Sequence, residues 1–174
     1  LYRGAGGGAG EFGHVTVVPD GLLCACGKRG CLETLVSEPA MVEQIRAALQ
    51  APISIQEAIA GAQAGNPDLH AIFANAGRVL GMAAANAVNL LNPSLIILGG
   101  EGTRAGSLLM EPFIRSLRAH CFDGLFEDLE VVTEPWGDEA WARGAASLLL
   151  GELFEPALHS GQTERPSLTT RHAP

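Results

Sequence analysis

Three thiols and one imidazole crowd together near the start of the sequence. Cys24-Ala25-Cys26-Gly27-Lys28-Arg29-Gly30-Cys31 holds three cysteines within eight residues, and His14 lies ten residues before Cys24. One nitrogen and three soft sulfurs make a complete tetrahedral set for Zn2+. Gly27 and Gly30 allow the sharp turns that bring the sulfurs together, and Lys28 and Arg29 are expected to offset part of the thiolate charge. Four protein ligands leave no open position on which to activate water, so the metal is expected to be structural. Two other states compete with it. One is reduced thiols packed as small hydrophobes; the other is a disulfide, which a reducing compartment disfavours. Cys121 lies far off on a predicted helix and reads as a packing residue.

Two carboxylates flank the cysteine loop. Glu11 precedes His14 by three residues, and Glu33 follows Cys31 by two. A metal-bound histidine offers its second ring N–H outward, and carboxylates fixed beside it can accept hydrogen bonds from vicinal hydroxyls, as in a sugar. The competing reading is that Glu11 and Glu33 are solvated surface acids or helix-start residues. Gly99-Gly100-Glu101-Gly102-Thr103 follows an apolar run and precedes a helix, so Gly99 and Gly100 are candidates to cradle a phosphate with backbone N–H groups. Glu101 opposes this, because its charge would lie where a polyphosphate must sit.

Certain elements must position these groups. His14-Val15-Thr16-Val17-Val18 is β-branched and followed by Pro19-Asp20-Gly21, which predicts a short strand and a turn. Residues 22–33 read as a tight knuckle. Helical spacing from Ser37 to Pro52, and a capping-box pair Ser54 and Glu57 leading toward Gly65, predict two short helices. Asn66-Pro67-Asp68 starts a long helix whose stripe runs from Leu69 to Leu91 through many small residues, until Asn92-Pro93 stops it. Leu95-Ile96-Ile97-Leu98 reads as a strand buried on both faces. A helix over 105–121, a strand over 129–133 and a helix over 138–154 follow, the last with Ala142, Ala145, Leu149 and Leu153 inward. Alternation of helix and strand implies crossover units and an α/β class.

The 174 residues suffice for one domain that removes about 70% of its unfolded surface from water. A net charge of −8 without a basic block gives no footprint for nucleic acid or anionic membrane in this stretch. The longest uninterrupted apolar runs fall far short of the ~20 residues of a membrane span, and no charged-then-apolar leader opens the chain, so a cytoplasmic protein is expected. A start at Leu1 without Met, just before the Gly-rich stretch Gly4–Gly10, reads as a fragment of a larger domain. Residues 158–174 are polar and without period, and are expected to be a disordered tail.

Gly10-Glu11-Phe12-Gly13-His14, followed by Cys24-x-Cys26-Gly27-x-x-Gly30-Cys31-Leu32-Glu33, resembles the hallmark of the ROK family of repressors, open reading frames and sugar kinases. Leu91-Asn92-Pro93, the run into Gly100, and Arg143-Gly144-Ala145-Ala146 support it. The resemblance implies an actin-like (ribonuclease H-like) fold, of which residues 1–157 are the C-terminal lobe and residues 14–33 the zinc knuckle, with the N-terminal lobe absent. It implies structural zinc on His14, Cys24, Cys26 and Cys31, contacts from Glu11, His14 and Glu33 to a hexose or amino sugar, and a dimer or tetramer. The kinase's Asp-Gly-x-Thr loop and general-base Asp belong to the missing lobe, so this stretch alone is not expected to phosphorylate a sugar. Glu101 in place of the third glycine of the kinase Gly-Gly-Gly loop, and the ending from Trp141, resemble the regulator branch. In that branch DNA is bound only by a helix-turn-helix domain outside this stretch. The alternatives are an ATP-dependent, glucokinase-like sugar kinase and a zinc-stabilised interaction module without ligand.

Overall fold

Asn66 starts the longest helix by a mechanism visible in the sequence. Its side-chain oxygen accepts from the backbone N–H groups of Asp68 and Leu69 at 3.0 and 3.1 Å, and Pro67 occupies the first turn. The computed structural model describes residues 2–134 and 140–154, with side chains of the last helix described to residue 150. Among the described residues six α-helices and two strands follow in the order α1 (Glu33–Val36), α2 (Glu38–Leu49), α3 (Ile55–Gln63), α4 (Pro67–Leu91), β1 (Leu95–Gly99), α5 (Ser107–His120), β2 (Glu130–Glu134) and α6 (Ala140–Phe154). They fall into two units, residues 1–135 and 136–174.

In the first unit α4 is the central strut. A Cβ on Gly77 would lie 2.2 Å from the Leu109 carbonyl oxygen, and one on Gly81 would lie 2.3 Å from that of Phe113. These two glycines therefore let the α5 backbone rest directly on α4. On one side Met41, Ile45, Ala58, Phe73 and Leu109 close a core between α4 and the pair α2 and α3. On the other, Ala85, Val88, Phe113, Leu117 and Leu129 close a second core under the sheet. Leu91, placed on the predicted stripe, is exposed at the helix end. Asn92 there adopts a left-handed conformation, and Pro93 follows.

Strands β1 and β2 pair in parallel, Leu95 opposite Glu130 through Gly99 opposite Glu134, as the crossover through α5 requires. The expectation that β1 is buried on both faces is corrected. Ile96 and Leu98 pack on the second core, but Leu95 and Ile97 are 44% and 60% exposed. A parallel strand is buried twice only if both faces are covered, and among the described residues cover comes from the α4 and α5 side alone.

The predicted strand over 14–18 is also corrected. Residues 12–14 form a 3-10 turn, and only Thr16 makes a bridge, antiparallel to Cys31. Val17 and Val18 both donate to the single carbonyl of Gly30, at 2.8 and 3.3 Å, so the ladder ends after one step. The helices expected from Ser37 and Ser54 form with those residues as caps. By length and composition α4 could cross a membrane, yet half of its most apolar window is buried inside the protein. In the second unit α6 forms as expected, although Ala142, Ala145 and Leu149 are exposed rather than inward. The expected tail over 158–174, Leu153 and the first two residues of the predicted last helix lie outside the described side chains.

Candidate functional site

The knuckle is built by turns that converge on the cysteines. The Cys24 N–H donates to the Lys28 carbonyl at 2.8 Å and Gly27 N–H returns to the Cys24 carbonyl at 2.9 Å, while Leu23 bridges to Arg29. Gly30 sits at φ 73°, and a Cβ there would fall 1.7 Å from the Val18 carbonyl oxygen, so no other residue fits. Leu32 plugs the knuckle onto α4 by packing against Val79 and Ala83. The one-turn helix α1 then begins at Glu33, which fixes that carboxylate beside His14.

His14 Nδ1 lies 3.6 Å from Cys24 Sγ, Cys26 Sγ lies 3.6 Å from Cys31 Sγ, and the ligand atoms of all four residues fall within 4.8 Å of one another. Zinc–sulfur bonds of about 2.3 Å at tetrahedral angles place neighbouring ligand atoms roughly 3.8 Å apart. The donor set and its spacing therefore fit Zn2+. Cys24 and Cys31 are buried and Cys26 is exposed. The Lys28 backbone N–H, hydrogen-bonded to Cys26, leads in holding its thiol below the usual range. Burial, joined by the neighbouring sulfurs, pushes Cys31 up to about 11. A buried thiol held protonated in this way beside two other sulfurs is what a divalent cation would relieve.

Lys28 and Arg29 do more than balance charge. Lys28 Nζ donates to the His14 carbonyl at 2.7 Å, and Arg29 Nη1 donates to the Gly21 carbonyl at 3.2 Å, tying both ends of the loop. Sequence reasoning missed these backbone roles because nothing in a Lys-Arg pair reveals which carbonyl it will reach.

Both candidate acids come to the same histidine. Glu33 Oε2 lies 3.3 Å from Nδ1 and Glu11 Oε2 lies 3.8 Å from Nε2. Metal on Nδ1 would leave the Nε2 N–H on the Glu11 side, so three polar groups would face solvent from one rigid base. Gly99 and Gly100 share no hydrogen bond with this cluster. Gly100, at φ 97°, spends its carbonyl on Thr103, which donates to it from both its N–H and its hydroxyl. The next residue, Glu101, pairs with Arg104 at 3.7 Å. Glu101 also lines a cavity of about 480 Å3 with Glu38 and Glu43, the latter already bonded to Arg46 at 2.7 Å. Among the described residues Glu38 is the carboxylate of that lining without an ion pair, and Arg46, its one cation, is already taken by Glu43, so the cavity holds no unmatched positive charge for a polyphosphate.

The ROK family profile matches residues 1–152, and the chain belongs to the ROK family. A putative xylose repressor of Caldicellulosiruptor sp. (strain Rt8B.4) is 28% identical, over 88% of this chain and 42% of the repressor. A solved ROK family transcriptional regulator, a homolog of the E. coli MLC protein, superposes with a TM-score of 0.74 at 34% identity, over 83% of this chain and 39% of its own. A ROK glucokinase of Streptomyces griseus, solved with glucose and AMPPNP, gives 0.74 at 32% identity, over 85% and 53%. The chain thus spans about half or less of these relatives, which share the actin-like sugar kinase architecture and include both repressors and kinases.

Proposed function

We propose that this chain is the C-terminal, effector-binding part of a cytoplasmic ROK transcriptional regulator, with residues 1–157 as the lobe and 158–174 as a polar tail. Structural Zn2+ on His14, Cys24, Cys26 and Cys31 stiffens the knuckle. Glu11 and Glu33 then accept hydrogen bonds from adjacent hydroxyls of a hexose or amino sugar, while His14 donates from Nε2. The sugar shifts the protein between lobe arrangements by binding one more tightly, and DNA is bound by a domain outside this stretch. The protein acts as a dimer or tetramer.

The observation that supports the regulator reading is Glu101, which stands in place of the third glycine of the kinase-like loop and pairs with Arg104. The kinase reading is favoured by the intact Glu11, His14 and Glu33 set and by the glucokinase likeness. The deciding experiment is made on the intact protein. Operator release by a panel of hexoses, with no sugar phosphate formed from ATP, supports the regulator. Sugar-dependent ATP consumption overturns it in favour of the kinase.

A further inference from the structure

Helices α4 and α5 leave an open groove of about 590 Å3 on the face carrying Arg78, Arg115 and His120. Its floor is made of alanines from both helices and Pro112, and no Asp or Glu lines it. On a chain of net charge −8 such a lining stands out. Among the described residues, the arginines in ion pairs are Arg46 and Arg104, so neither groove arginine is matched by a carboxylate.

Arg78 and His120 are also held in place. Asn75 Oδ1 accepts from Arg78 Nη2 at 2.8 Å, and the buried Ser116 hydroxyl donates to the Arg78 carbonyl at 2.6 Å. His120 Nδ1 lies 2.8 Å from the Ser116 carbonyl, which can only accept. That nitrogen therefore carries the hydrogen, and in the neutral ring Nε2 is an acceptor for a hydroxyl of the ligand's organic part. Asn89 fixes the end of α5 by donating to the His120 carbonyl at 3.0 Å. Two guanidinium forks suit a phosphate, whose oxygens outnumber a carboxylate's and can engage both at once. The volume lies in the range of small-molecule sites and leaves room for an organic body over the alanine floor. A nucleic acid would need a continuing basic track, whereas the next arginine on α5, Arg118, is stacked 4.6 Å from the Phe126 ring.

We propose that the α4–α5 groove is a second binding site, separate from the knuckle, for a small organic phosphate monoester whose phosphate is gripped by Arg78 and Arg115. The site does not depend on the effector reading above.

The test is calorimetric titration of the intact protein with ribose 5-phosphate, ribose and inorganic phosphate. The variants are Arg78→Gln, Arg115→Gln, both together, and Glu33→Ala as a knuckle control, with circular dichroism checking the fold. The expected result is saturable binding of ribose 5-phosphate and none of ribose. Each arginine variant should weaken it about tenfold or more, the worth of one charge-assisted hydrogen bond, and Glu33→Ala should leave it unchanged. The proposal is overturned if the ester does not bind, if inorganic phosphate binds as tightly, or if the double variant binds as the parent does. Saturation by an acidic peptide or duplex DNA through the same arginines, in place of the ester, overturns it as well.

Discussion

Cys31 is fully buried and Cys26 is exposed, so the two sulfurs that lie 3.6 Å apart should respond differently to replacement. Cys26→Ser is expected to release metal and lower the melting temperature. Cys31→Ser should do both more severely, because its fully buried side chain holds the centre of the knuckle between Cys26 Sγ and the His14 carbonyl. Metal content and thermal melts of the purified variants check this, and unchanged values in both would remove the knuckle from the account. The pH dependence has a definite sign. Without metal, Cys31 ionises near 9 when unfolded but only near 11 when folded, so its contribution is intact below pH 9 and declines as pH rises toward 11. The lowered thiol of the exposed Cys26 acts in another window: its contribution is complete above pH 9 and is lost as pH falls below that, so it leaves the decline toward pH 11 in place. Urea unfolding from pH 8 to 11 should show a loss in metal-free protein that zinc-loaded protein lacks. At this scale the sequence was highly legible, because His14 to Glu33 are local in the chain and their chemistry survives any fold. The carbonyl targets of Lys28 and Arg29 were not legible, since they exist only once the turns close.

At the scale of elements, the contact of α4 with α5 separates two opposing effects. Alanine in place of a helical glycine normally stabilises by about 1 kcal/mol. At Gly77 and Gly81 the added Cβ would strike backbone carbonyls at 2.2 and 2.3 Å, and backbone cannot step aside as a flexible side chain can. Overpacking, about 1–3 kcal/mol, should therefore win. Gly77→Ala and Gly81→Ala are expected to lower stability in denaturant titrations, whereas Gly144→Ala, with open space around it, should not. Caps and stops at Ser37, Ser54, Asn66 and Asn92 could be read in advance because they act on their own helix. The strand over 14–18 and the second face of β1 could not, since both depend on what lies opposite: one shared carbonyl in the first case, no described layer in the second.

Across the whole molecule, the knuckle is joined to the long strut through Leu32 against Val79 and Ala83, so the cysteine cluster and the helical scaffold are mechanically continuous. Leu32→Ala is expected to cost about 2–5 kcal/mol and, if the proposed site is correct, to weaken hexose binding although Leu32 reaches no ligand. Comparing its binding isotherm with that of Glu33→Ala checks this: a Leu32→Ala protein that is folded and binds normally would uncouple scaffold from site. The bare side of β1 has another consequence. Leu95 and Ile97 present a flat aliphatic strip beside strand edges that are unpaired among the described residues, a geometry that invites like molecules to stack. Purified residues 1–174 should therefore scatter more light as concentration rises, and a charged residue in place of Ile97 should keep the solution clear.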